Sequence, residues 1–235
     1  MVNLKEIEKA IQKVANPKKA QDLQRFFKTG KGEYGEGDIF LGIVVPEQRK
    51  IAKEFHDLEM KDIQELLDSK IHEKRMIGLF ILIHKNNKAD NKLKKNIYDF
   101  YLNNAGKNNI NNWDLVDLSA PNIVGNYLLD RNREILYQLA NSNNLWEKRI
   151  SILSTFTFIR QNDFMDAIKI ATILLEDSHD LIHKAVGWML REVGKRDKKT
   201  LEDFLKEHYK KMPRTMLRYA IEKFPEDERK KWLNR

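Results

Sequence analysis

The 235-residue chain contains no cysteine. Disulfide frameworks, thiol nucleophiles, zinc ribbons and iron–sulfur clusters are therefore excluded. No apolar run approaches the ~20 residues that a bilayer-spanning helix needs. The opening segment MVNLKEIEKAIQKV reads as an amphipathic helix rather than a signal peptide. There is no P-loop, no GxSxG, no HExxH, and no GxGxxG that opens a helix after a strand. Among the six histidines only His179 and His183 have a helical ligand-like spacing, and no third ligand accompanies them. They read as solvated helix-face residues, so no metal is expected. What remains is a soluble, intracellular, basic protein, with a cytoplasmic, bacterial-type location expected.

Lysine and arginine number 43 against 35 aspartate and glutamate, a formal charge of +8. Charged residues make up 33% of the chain and hydrophobic ones 41%, enough apolar surface to bury a core. The excess of positive charge favours an anionic partner, nucleic acid first among them. The Asn- and Lys-rich stretches KNNKADNKLKKN and GKNNINN equally fit a compositional bias that only keeps the protein soluble. Charge by itself leaves both readings open.

Helical periodicity dominates and no alternating strand stands out, so the fold class is all-α. Helices are expected near 3–15, 17–28, 46–58, 61–69, 71–87, 90–104, 112–127, 131–141, 145–160, 163–175, 179–195, 198–210, 213–223 and 226–233. Asn16-Pro17 and Val45-Pro46 each put proline at a helix start, and Asn144, Asp180 and Asp197 are candidate N-caps. The stretch Thr29–Asp38 holds four glycines and reads as a loop. A weak internal repeat links EKRMI at 73–77, EKRIS at 147–151 and HKAVG at 183–187, each followed by an apolar run. The offsets of 74 and 36 residues fit one period near 36–37. A period of that size is somewhat below the ~40–47 residues of HEAT repeats and close to other helix-pair repeats; it suggests a single domain over 1–235, an α-solenoid with a concave binding face.

The densest segment for chemistry is Asn111–Pro121, NNWDLVDLSAP. Asn111 or Asn112 can cap the helix, and Asp114 then falls in its first turn, where the dipole favours a carboxylate by at most about 1 kcal/mol. Asp117 lies beyond that turn among Leu115, Val116 and Leu118. Trp113 is four residues earlier and shares its helix face. An indole beside a carboxylate suits a cationic ligand; the alternative is a core Trp with a surface Asp. Trp146-Glu147-Lys148-Arg149 and His183–Glu192 occupy equivalent places in later repeats. In the latter, Gly187 inside a helix costs up to ~1 kcal/mol relative to alanine, which points to a close approach there. Trp188 sits between Lys184 and Arg191, the mixture of ring and cation that a nucleic-acid surface uses.

At these residues the chain resembles the DNA alkylation repair enzymes of the AlkD type, alkylpurine DNA glycosylases built from HEAT-like repeats. The resemblance runs from Asn16-Pro17 through Phe40–Ile43, Pro46–Arg49, Trp113–Asp117 and Trp146–Arg149 to Lys184–Glu192, nearly the whole chain. It implies a role for each matching residue. Trp113 and Trp188 would flank the lesion-bearing deoxyribose, Asp117 would be the catalytic carboxylate, and Arg149 would lie on the DNA backbone. Lys148, Lys184 and Arg191 surround the same place and are taken as further DNA contacts. The resemblance also implies excision without flipping the base, leaving an abasic site in base excision repair. Double-stranded alkylated DNA is the expected partner, with no membrane, no obligate protein partner, a monomeric state and no cofactor. The chain departs from the family pattern at Val44, at Phe26 and in the longer 29–38 loop. The rival expectation is a non-catalytic helical-repeat module that binds DNA or another nucleic acid.

Overall fold

The computed structural model describes residues 3–234. Met1 and Val2, which begin the segment read as an amphipathic helix, lie outside the described residues, as does Arg235. The chain divides into two compact units, Met1–Leu115 and Val116–Arg235. Among the described residues the structure is helical, and the one extended pairing is an isolated parallel bridge from Ile39 to Ile71. No helix among them is long and apolar enough to cross a membrane.

The N-terminal unit contains α1 (Leu4–Lys13), α2 (Pro17–Phe26), α3 (Val45–Glu54), α4 (Met60–Leu67), α5 (His72–Lys88) and α6 (Asn91–Gly106). The starts have clear causes. Asn3 forms a capping box with Glu6, and Asn16 accepts the Lys19 N–H with Pro17 following. Pro46 falls at the second position of α3 rather than the first, which costs nothing because that N–H is also unused in a helix. Residues 27–44 form a loop that contains the expected Thr29–Asp38 stretch and is longer than it at both ends. α5 is the central helix: α3, α4 and α6 pack on it, and it is buried along most of its length, as a helix apolar on nearly every side must be.

Polar groups at the start of α5 organise this unit. The Glu73 carboxylate, fully buried, accepts the N–H groups of Leu41, Gly42 and Ile43 at 2.8–3.2 Å. Arg75 Nη2 donates to Asp38 Oδ1 at 2.7 Å. His72, only 2% exposed, lies between two carboxylates: Nε2 is 2.9 Å from Asp114 Oδ2 and Nδ1 is 3.3 Å from Asp38 Oδ2. Asn112, also buried, donates to Asp38 at 3.2 Å and accepts the Trp113 N–H at 2.8 Å. Asp114 is thus more than the helix-dipole residue that its first-turn position suggested. It is half of a buried ion pair.

The C-terminal unit takes up the rest of α7 (Trp113–Ala120), which straddles the division, then a π-turn at Pro121–Gly125 and α8 (Asn126–Leu128). The sequence pattern predicts one helix over 112–127. Pro121 carries no N–H to continue the α ladder, and the helix widens there into the π form. α9 (Glu134–Ala140), α10 (Leu145–Arg160), α11 (Met165–Ile173), α12 (Asp180–Arg196), α13 (Lys198–His208), α14 (Arg214–Ala220) and α15 (Glu226–Leu233) follow. α10 packs on the π-turn, α9, α11 and α12, and α12 packs in turn on α13 and α14. Asn144 and Asp197 cap as expected. Asp180 does not: His179 is the cap, its Nδ1 accepting the Leu181 N–H at 3.1 Å. Gly187 marks the close approach that its cost implied, since a Cβ there would lie 2.5 Å from Tyr219 Cβ on α14.

Burial alone would push the His72 imidazole down, but the charge and hydrogen bond of Asp114, with the bond to Asp38, raise it from 6.5 to about 9. Burial likewise works against the Asp38 charge, yet the His72 bond and the Arg75 charge hold its pKa below the ordinary value. Folded His72 therefore keeps its proton where the unfolded chain has lost it. The stabilisation is complete below pH 6.5 and disappears as pH rises through 9. Urea unfolding should lose about 3 kcal/mol between these limits, and His72→Gln should show no such loss; a flat wild-type profile refutes the ionic reading. Asp114→Asn should cost about 2–3 kcal/mol at pH 7, well above the helix-dipole figure.

Candidate active site

The expected trio comes from α7 and α12. Trp113 lies in the N-terminal unit, Asp117 and Trp188 in the C-terminal one. In the C-terminal unit the π-turn fixes where α7 delivers Asp117. Gly125 lets the turn settle against α10: a Cβ there would stand 2.5 Å from the Ser154 carbonyl oxygen and from Thr157 Oγ1. The Thr157 hydroxyl then donates to the Pro121 carbonyl at 2.7 Å. One turn back from Pro121, Asp117 faces the N-terminal half of α10.

There it meets Arg149. Nε donates to Asp117 Oδ1 at 2.7 Å and Nη2 to Oδ2 at 2.8 Å, a two-pronged fork. Arg149 is buried, and the Asp117 side chain is 12% exposed. The remaining Nη1 of Arg149 donates to the Leu181 carbonyl in the first turn of α12. One guanidinium thus ties α7, α10 and α12 together. From the resemblance the two residues have different expected tasks, Asp117 at the sugar and Arg149 on the DNA backbone. The structure makes them partners.

Trp188 is half-buried on α12, where its indole N–H donates to Glu192 at 3.1 Å and Phe156 packs at 5.9 Å between ring centroids. Each remaining candidate DNA contact also has a carboxylate. Lys148 pairs with Asp177 at 2.7 Å, Lys184 with Asp180 at 2.7 Å, and Arg191 with Glu222. Burial disfavours the Asp177 charge, but the Lys148 hydrogen bond leads the effects that lower its pKa; the Lys184 bond does the same for Asp180. His183 Nε2 lies 2.5 Å from the Asp177 carbonyl, so both residues of the His179/His183 pair serve the turn into α12. Among the described residues no group of three His, Asp or Glu is placed to hold a metal ion.

In the N-terminal unit Trp113 ends a column of rings. It stacks on Phe27 at 5.3 Å and 12°, Phe27 stacks on Phe40 at 4.9 Å, and Phe40 on His72 at 4.6 Å. Phe26, 64% exposed, meets Trp113 edge-on at 6.1 Å. Val44 is exposed as well. Neither the column nor the His72 cluster was visible in the sequence, because Phe27, Phe40 and His72 lie tens of residues from Trp113 with no periodic relation to it.

The family model described as DNA alkylation repair enzyme matches residues 7–224. Among solved structures, a protein from Enterococcus faecalis described as a predicted DNA alkylation repair enzyme superposes with a TM-score of 0.69. The alignment covers 90% of this chain and 97% of that one at 16% identity, a likeness of fold. No curated protein sequence matches the chain. A family match over that span, on an all-α chain, leads to one conclusion: this protein belongs to the DNA alkylation repair enzyme family.

Proposed function

We propose that the protein is a monofunctional DNA glycosylase. It would hydrolyse the N-glycosidic bond of purines already made cationic by alkylation, such as N3-methyladenine and N7-methylguanine in duplex DNA, and leave an abasic site. The observation that carries this reading is the Asp117 carboxylate, fixed by the Arg149 fork on a helix whose first residue is Trp113. A cationic purine leaves without being protonated, so the protein's task is to stabilise the oxocarbenium-like deoxyribose and admit water. A preoriented carboxylate does the first and can align the water for the second. The indole faces of Trp113 and Trp188 would favour the same cationic character. One carboxylate suffices here, whereas glycoside hydrolysis uses two.

The fork also serves the rival reading, a non-catalytic nucleic-acid-binding module in which Asp117 only anchors Arg149. Release of methylated bases from alkylated duplex, wild type against Asp117→Asn, separates the two. The substitution should lower base release by ~10²–10³. Because Asn weakens the fork, it should also cost about 2–3 kcal/mol of stability, an effect the sequence alone did not suggest. Affinity for undamaged duplex should be kept. A wild type that releases no base decides for the binding module.

DNA binding should be electrostatic and indifferent to sequence. With about six phosphates neutralised, log K should fall against log salt with a slope of about −5, measured by titrating a labelled duplex. A flat dependence would remove DNA as the ligand.

Lesion range follows from the acids near the trio. In the C-terminal unit Glu192 holds the Trp188 N–H and Lys195, while Asp177 and Asp180 hold lysines. None is left to protonate a neutral leaving base. Uracil and hypoxanthine should therefore stay in place, while cationic N3 and N7 adducts leave, as judged by chromatography of duplexes carrying one defined lesion each. Uracil release at a rate like that of methylated purines would overturn this mechanism.

A further inference from the structure

The His72 cluster has no part in the chemistry just described, yet it ends at Trp113 by two routes. Along the first, His72 Nδ1 bonds to Asp38, Asp38 accepts from Asn112, and Asn112 holds the Trp113 N–H. Along the second, His72 stacks on Phe40, Phe40 on Phe27, and Phe27 on the indole at an interplanar angle of 12°. The other ring nitrogen is bonded to Asp114, the residue next to Trp113. Backbone and ring of Trp113 are thus both referred to one imidazole, with every contact inside the N-terminal unit.

We infer that His72 is a positioning residue, clamped between Asp38 and Asp114 so that it sets the plane of the Trp113 indole. This rests on the reading of Trp113 as a residue that faces the lesion-bearing sugar. A ring in direct contact with substrate must keep its orientation while the substrate changes charge, and a misplacement near 1 Å can cost on the order of 10² in rate. Phe27 covers one face of the indole, so a tilt of the column moves the face that remains. Neutral packing alone would hold the column loosely, because stacked rings slide at little cost. Two charged hydrogen bonds at its buried end fix both the height and the rotation of the imidazole. The groups that face His72 are Asp114 from α7, Asp38 from the loop, and Arg75 from its own helix. The first two favour its proton and the third opposes it, with the balance turning near pH 9.

The test uses the whole chain labelled with 5-fluorotryptophan, whose four ¹⁹F signals are assigned from single Trp→Phe variants. In the wild type the Trp113 signal should move with a midpoint near pH 9, while the Trp146 and Trp232 signals stay in place. In His72→Gln that transition should vanish, and base release should fall about tenfold in kcat with KM within about twofold. Unchanged Trp146 and Trp232 signals show that the variant is folded. The wild-type titration needs no substitution, so it decides the matter even if His72→Gln fails to fold. A Trp113 signal that ignores pH between 8 and 10, or a folded His72→Gln with unaltered kcat, overturns the inference. If the signals behave as stated but the wild type releases no base, the glycosylase reading falls and the clamp stands.

Discussion

Much of the C-terminal unit depends on one buried ion pair, the fork between Asp117 and Arg149. Removing two charges from water costs several kcal/mol per ion, and attraction alone recovers this only with good geometry and no unmet donors. Both conditions hold. The fork supplies two parallel bonds, and the leftover Nη1 finds the Leu181 carbonyl. Such a pair adds little net stability compared with well-packed apolar residues, but it makes wrong arrangements expensive. If α7 rotated or α10 slid by one residue, a guanidinium would be buried without its carboxylate. The π-turn, the Gly125 contact and the Thr157 bond hold α7 in the register in which Arg149 is satisfied.

The same device appears in the N-terminal unit, and the internal repeat predicts where. Glu73-Lys74-Arg75 opens α5 as Glu147-Lys148-Arg149 opens α10. In each triplet the arginine turns inward to an aspartate from another segment, Asp38 or Asp117, and the lysine pairs outward, with Glu8 or Asp177. The third copy, on α12, has Ala185 in the arginine's place, and no buried pair forms there; Lys184 bonds within its own helix to Asp180. What looked like a short, chance-prone match in sequence is a recurring way of locking a helix start. In the first unit the lock is enlarged by His72 and Asp114 into two cations and two anions.

Legibility followed distance along the chain. Helices, their caps and the glycine-rich loop depend on neighbours within four residues, so periodicity and cap chemistry placed them to within a few positions. The errors arose where a local rule had a close competitor. His179 took the cap from Asp180 because its extended backbone lets Nδ1 reach back to Leu181, leaving Asp180 in the first turn to suit the dipole and Lys184. Pro121 was read as lying within a helix and instead changed its pitch. The site was legible as a list of residues and illegible as a set of bonds. Asp117 and Arg149 are 32 residues apart, and His72 and Asp114 are 42 apart. No spacing rule joins residues across such gaps.

The paired cations also change what the +8 charge means. Lys148, Arg149, Lys184 and Arg191 read in sequence as open sites for phosphate, yet each already has a carboxylate. A phosphate that approaches Lys184 competes with a half-exposed Asp180, and such exposed pairs are worth at most about 1 kcal/mol, so exchange is easy. A phosphate that approaches Arg149 competes with a buried two-pronged fork, and exchange there would strand Asp117. The two kinds of pair therefore divide the work. The exposed Lys184 can exchange its partner readily, while Arg149 holds the Asp117 carboxylate still. For the role proposed for Asp117 that division matters: without the arginine, the repulsion of an incoming phosphate would turn the carboxylate away from the sugar it is proposed to serve.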